Sequence, residues 1–201
     1  MNSSKRFSLI TAATLAAVIA CAPTLPDLQS PVEINQVIPD TDIATNSEQM
    51  LSAHNEIRQQ LSIPPLRWSN QMSVYATEWA LFLANDVGCD LRHRGAIGLP
   101  LHKNGIGENL FKHAAIVRTN GDRQVDSVSE KSVVLEWARE SVNYDYATNN
   151  CALNSTCDRY TQLVWRDSSV VGCGAASCPN KDQIWVCNYD PPGNYNKQRP
   201  Y

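Results

Sequence analysis

Six cysteines fall between Cys89 and Cys187, and the last five, Cys151, Cys157, Cys173, Cys178 and Cys187, flank the runs DRYTQLVWRDSSVVGC and WVCNYDPPGNY. An even set flanking short β-like segments is the pattern of a disulfide-stapled extracellular domain. Spacing alone leaves their connectivity open. His54 falls on the apolar side of a helical repeat with Met50, Ile57 and Leu61, and is read as a hydrogen-bonded core residue. Glu140 follows Val133 and Trp137 on another apolar face. A carboxylate there needs a partner, because an unpaired buried charge costs on the order of several kcal/mol or forces protonation. With six cysteines paired, the segment that carries them holds no free thiol, and the sequence has neither a nucleophile elbow nor an HExxH helix. Ser and Thr are plentiful, but none is tied by spacing to a base.

The seventh cysteine, Cys21, ends a segment built like an export signal: Lys5 and Arg6 precede an uncharged apolar stretch from Phe7 to Ala20. That stretch is short for a membrane span. Val18, Ile19, Ala20 and Cys21 resemble a bacterial lipobox, in which the cysteine is acylated and becomes the new N-terminus. Ordinary cleavage near Ala20 or Ala22 is the alternative. Acylation would account for the odd thiol and hold the protein at a membrane surface without a spanning helix. The expected organisation is therefore a signal peptide over 1–21, a proline-rich flexible tether over 22–45, and one compact domain over 46–201.

Elements that would position these side chains follow from periodicity. Thr45 with Glu48 predicts a capping box for the first helix, a second starts after Ser69 or Asn70 with the stripe Met72, Tyr75, Trp79 and Leu83, and Ser127 with Glu130 predicts the start of a third. Tyr160 to Arg166, Val170 to Ala176 and Gln183 to Tyr189 are rich in β-branched and aromatic residues and are predicted strands. Helices first and strands last indicate an α+β layered domain. A net charge of -3 without a basic stripe offers no electrostatic basis for nucleic-acid binding.

His54 and Asn55, the GEN of Gly107 to Asn109, the W-x-x-E of Trp137 and Glu140, then YTQLVW and CNYDPPGNY stand in one order along residues 46–201. Together they resemble the signatures of the CAP superfamily, which groups cysteine-rich secretory proteins, antigen 5 and the plant pathogenesis-related group 1 proteins. The resemblance implies a three-layer α-β-α sandwich around a mixed, mainly antiparallel sheet. It also implies the pairs Cys89–Cys178, Cys151–Cys157 and Cys173–Cys187.

That family's cleft usually holds two histidines and two glutamates. Carried onto this chain, the resemblance assigns His102 as the first histidine and Glu108 and Glu140 as the carboxylates. The second histidine position, just before YTQ, is Arg159. A guanidinium stays protonated and has no lone pair for a metal, so zinc is disfavoured and no cofactor is expected. Arg159 is instead expected to supply a permanent cation to Glu108 or Glu140. His93 and His113 sit in polar, loop-like sequence and are set aside as substitute ligands.

The resulting expectation is an exported, non-catalytic binder of a sterol, lipid or other small extracellular ligand, located outside the cell or tethered to a membrane through Cys21. A hydrolase using His102 with Glu108 or Glu140 is the alternative, and a structural surface protein with a vestigial cleft is the second. At the C-terminus, Pro191 to Tyr201 resembles a releasable signalling peptide of the plant relatives, although a packing role is the preferred reading.

Overall fold

The computed structural model describes residues 42–97 and 105–201. Cys21, the signal segment and most of the tether lie outside the described residues, as does His102. Strand β1 (Asp42–Ile43), within the stretch read as tether, pairs antiparallel with Ala175 and Ala176.

Two long strands, β8 (Val170–Ser177) and β9 (Gln183–Asp190), form the centre of the sheet. Their side chains alternate between two cores, as the two-residue period of a strand requires. Val171, Cys173, Ala175, Trp185, Cys187 and Tyr189 enter one cluster, while Ala176, Ile184 and Val186 enter the other. The strand β3 (Gly107–His113) pairs antiparallel with β9, and the short β2 (Arg67–Trp68) runs parallel to β8. The result is a five-stranded mixed sheet in the order β1-β8-β9-β3, with β2 also on β8.

Helix α2 (Asn70–Asn85) covers one face. It lies so close to β8 that a Cβ at Gly172 would stand 2.2 Å from the Ser73 backbone nitrogen, and one at Gly174 2.2 Å from the Thr77 hydroxyl. Glycine is therefore what lets helix and sheet meet there. Helices α1 (Ser47–Gln60), α3 (Glu130–Ala138) and α4 (Asp158–Leu163) contribute to the other core. The chain is an α+β three-layer sandwich, as the sequence implied.

Short pairs β4 (Ile116–Val117) with β5 (Arg123–Gln124), and β6 (Tyr144–Asp145) with β7 (Asn150–Cys151), lie outside the main sheet. The three disulfides are Cys89–Cys178, Cys151–Cys157 and Cys173–Cys187. Cys173 and Cys187 stand directly opposite each other in the β8–β9 ladder.

Three local expectations change. Helix α1 is capped by Asn46, whose side chain accepts from the Gln49 amide at 3.0 Å, rather than by Thr45. The reciprocal half of that cap comes from another helix: the Asn46 amide donates to Glu130 Oε1 at 2.7 Å. Helix α3 is capped by Ser129, not Ser127.

The segment read as a strand from Tyr160 is instead α4, followed by a turn. Its β-prone composition is overridden because a carboxylate from elsewhere in the chain, described below, satisfies two of its first amides. The C-terminal segment is stitched to α4 and its surroundings. The Gly193 amide donates to Gln162 Oε1 at 2.8 Å, Thr161 Oγ1 donates to Asn194 at 2.7 Å, and the Tyr201 ring stacks on Tyr146 with centroids 4.9 Å apart. Asn196 to Arg199 remain exposed.

Candidate functional site

Where α3 ends at Ala138, the chain continues as a 3-10 turn, Arg139–Asn143, that carries Glu140. Its carboxylate is nearly buried and is met by five donors. Oε1 accepts from Thr156 Oγ1 at 3.1 Å, from Arg159 Nε at 2.6 Å and from Arg159 Nη2 at 2.5 Å. Oε2 accepts from the backbone amides of Arg159 at 2.9 Å and Tyr160 at 3.2 Å. Glu140 thus both caps α4 and neutralises Arg159, and has little lone-pair capacity left.

The second carboxylate, Glu108, projects from β3. Its Oε1 accepts from His93 Nδ1 at 2.7 Å and from the Arg94 amide at 3.2 Å. His93 is held in this position by a local chain of constraints: Cys89, four residues earlier, is pinned to the end of β8 by Cys178, and a 3-10 turn, Arg94–Ile97, follows. The hydrogen bond that His93 donates to Glu108 raises its pKa above the ordinary 6.5; burial opposes this, the charges of Glu108 and Asp158 add to it, and Arg159 works against it.

His93 is the histidine that the described residues bring to the cleft; His102, the histidine assigned from the sequence, lies outside them. Spacing counted back from GEN pointed to His102; His93 stands in polar, loop-like sequence, and its contact with Glu108 is what marks it. His113 lies at the other end of β3, where Nε2 meets Asp126 at 3.0 Å.

A buried polar chain lies behind the site. Asn109 Nδ2 donates to the Arg159 carbonyl at 2.9 Å and to Tyr189 Oη at 3.2 Å, and Tyr189 Oη lies 2.9 Å from His54 Nε2. His54 Nδ1 lies 2.7 Å from the Met50 carbonyl, an acceptor, so Nδ1 carries the proton and Nε2 accepts from the tyrosine. Burial lowers the His54 pKa to about 4, which keeps the ring neutral. His54 is a core residue, as expected from its place on the apolar face.

Two cavities flank His93. One, of about 260 Å³, is lined by residues including Leu91, Leu110, Glu140, Thr156 and Arg159. The other, of about 220 Å³, lies on the Glu108 side.

One loop and three elements separated in sequence thus assemble His93, Glu108, Glu140 and Arg159 into one cleft on a disulfide-bonded sandwich, and residues 51–189 match the cysteine-rich secretory protein family, CAP. The chain belongs to that family. Pathogenesis-related protein 1 of Arabidopsis thaliana is 38% identical over 159 residues, covering 79% of this chain and 84% of the relative. Among solved structures, venom allergen-like protein 4 of Schistosoma mansoni superposes with a TM-score of 0.57 at 23% identity, covering 79% of this chain and 95% of that one. NaASP2 with Zn2+ has a TM-score of 0.52 at 18% identity, covering 81% and 88%. At such identities the two structures establish the shared fold. This CAP domain is of the pathogenesis-related type, and its three disulfides fit an extracellular protein.

Proposed function

We propose that the protein is an exported CAP-domain binder that holds a small extracellular ligand in this cleft without catalysing a reaction on it. The observation that carries the reading is the saturation of Glu140 by Arg159, Thr156 and two backbone amides. A carboxylate so occupied is poorly placed to act as a general base or a metal ligand. Thr156, a hydroxyl at the cleft, donates to Glu140 and not to His93.

Zinc, present in the NaASP2 structure, is a poor fit to the described residues of this chain. His93 Nε2 and Glu108 Oε2 offer two ligands, Glu140 is engaged, and Arg159 offers none; zinc sites use three or four protein ligands. The cavity volumes favour a small ligand, or one end of a lipid, over a whole sterol, since pockets for drug-sized molecules span about 300–1,000 Å³. The Cys21 motif adds tethering to a membrane by acylation, so the ligand would be met at a cell surface.

Mass spectrometry of small molecules co-purified with the mature domain, run beside a broad hydrolase screen, tests this. A bound molecule lost in Arg159→Ala, with no turnover by the wild type, is the expected result. Turnover abolished by His93→Ala would establish the hydrolase reading instead.

A further inference from the structure

The stretch read as tether joins the domain at the end of the sheet that carries the β4–β5 hairpin. Asp42, where β1 begins, pairs with Ala176, one residue from the end of β8. There β8 turns into β9, with the Cys178 amide donating to the Asp182 carbonyl at 2.8 Å. At the same level on the other edge, Lys112 and His113 of β3 pair with Ile184 and Gln183, and the chain passes on into the hairpin. Glu108 lies four residues back along β3. The cleft is therefore about 13 Å further along the sheet.

The hairpin is fastened to this end through Asp182, which is 4% exposed. Its Oδ1 accepts from the Ala115 amide at 2.9 Å and from Arg123 Nη2, and Lys112 Nζ stands 3.3 Å from its Oδ2. Beyond that anchor the ribbon carries Ile116, 48% exposed, Val117, 60% exposed, and Val125, 46% exposed. Neighbours along a strand point to opposite faces, so Ile116 and Val117 stand on the two sides of the ribbon. A flat protein partner would cover one side; a fluid apolar phase takes both. Arg118 bonds the neutral Gln124 side chain at 3.1 Å, and Lys181 is exposed in the β8–β9 turn. With Lys112 and Arg123 they set four cations against Asp122, Asp126 and Asp182, so hairpin and turn carry a charge of +1 on a chain of -3 and attract anionic headgroups that the chain as a whole would repel.

We propose that the β4–β5 hairpin and the β8–β9 turn form a docking surface for the lipid bilayer, with the cleft turned away from it. The assignment rests on the Cys21 anchoring read above. Twenty residues lie between Cys21 and Asp42, and a coil of that length spans about 25 Å, whereas a domain the size of residues 46–201 is about 40 Å across. An acylated Cys21 therefore keeps the end where the chain enters nearest the lipid, at an effective concentration on the order of millimolar. Ile116 and Val117 enter the acyl boundary, and the cations of Arg118 and Lys181 reach the phosphates on their apolar stems.

The test uses the mature chain from Cys21 onward, its other six cysteines paired, coupled through the Cys21 thiol to a maleimide phospholipid in vesicles of phosphatidylethanolamine and phosphatidylglycerol. Hydrogen exchange followed by mass spectrometry compares it with the uncoupled chain. Exchange over residues 116–125 is expected to slow about 10-fold on coupling, with residues 151–157 unchanged. Ile116→Asp combined with Val117→Asp should abolish the slowing. Arg118→Glu should reduce it through charge alone, and Leu153→Asp, at a residue 90% exposed in the Cys151–Cys157 loop, should leave it intact. Exchange in β8 and β9 reports whether each variant is folded, and should the double variant lose that protection, Arg118→Glu decides.

Unchanged exchange in the hairpin on coupling, slowing at residues 151–157 instead, or slowing that survives the double substitution in a folded domain would each overturn the assignment. The mass of the chain purified from its own membranes reports separately on the anchor. If Cys21 is acylated and the hairpin is not slowed, the docking surface falls and the anchor stands. If Cys21 is not acylated and the coupled chain still shows the slowing, the anchor falls and the docking surface stands.

Discussion

Arg159 Nε donates to Glu140 Oε1 over 2.6 Å, and the backbone amide of the same arginine donates to Glu140 Oε2 over 2.9 Å. One carboxylate therefore closes the start of α4 and holds the cation that stands in the cleft. Removing the side chain should uncouple the two roles. Arg159→Ala is expected to destabilise the fold by about 1–2 kcal/mol, between the values for exposed and buried pairs, because the Arg159 side chain is 42% exposed while that of Glu140 is 8% exposed. Urea denaturation midpoints will measure this, with the Thr156 and amide contacts retaining part of the cap.

Zinc affinity provides an independent check on the built-in cation. Wild type should bind zinc weakly by calorimetry, and Arg159→His should gain affinity through His93, with the gain lost in His93→Ala. Tight binding by the wild type would remove the basis for a metal-free cleft.

His93 in the cleft and His54 in the core behind it should respond to pH in opposite senses. Unfolded His93 titrates near 6.5 and folded His93 higher, so the stability supplied by its contact with Glu108 is complete below pH 6.5 and lost as pH rises through the folded value. NMR titration should show that raised value, and Glu108→Gln should lower it. His54, depressed to about 4 by burial, contributes stability in full above pH 6.5 and loses it as pH falls towards 4. Its ring signals should therefore stay those of neutral imidazole at pH 5.5.

Disulfide removal should be graded by the loop each bridge closes. Cys89–Cys178 spans 89 residues and Cys151–Cys157 spans six, so the loop-entropy relation predicts losses of about 4–5 and about 2 kcal/mol on replacement by alanine pairs. Equal losses in thermal denaturation would contradict that ordering.

Close packing of α2 on β8 predicts a strong effect from a single methyl. Gly172→Ala places a carbon 2.2 Å from the Ser73 backbone nitrogen and 2.4 Å from the Ser69 carbonyl, neither of which can rotate away. Destabilisation of about 3 kcal/mol or more is expected by chemical denaturation. A neutral result would mean that α2 can lift from the sheet at little cost.

Much of this architecture is a property of local pattern. Val170 to Ala176 and Gln183 to Tyr189 alternate side chains with a two-residue period, the stripe from Met72 to Leu83 repeats with a helical one, and both survive as β8, β9 and α2 because their faces are buried whatever lies opposite. Glu140 needed a partner by virtue of its apolar surroundings, and Arg159 could not be a metal ligand by virtue of its chemistry. Those conclusions required no coordinates. Tertiary structure decided what depends on distant groups. The run from Tyr160 has the composition of a strand, yet it is helical because Glu140, some 20 residues earlier, accepts its first amides. Glu130 serves the cap of α1 and not its own helix, across a separation of 84 residues. His93 meets Glu108 across a separation of 15 residues, in a loop that begins at the bridged Cys89. Local propensity depends on a residue's neighbours in the chain; capping, charge pairing and donor satisfaction depend on which groups folding brings within 3 Å or so of one another.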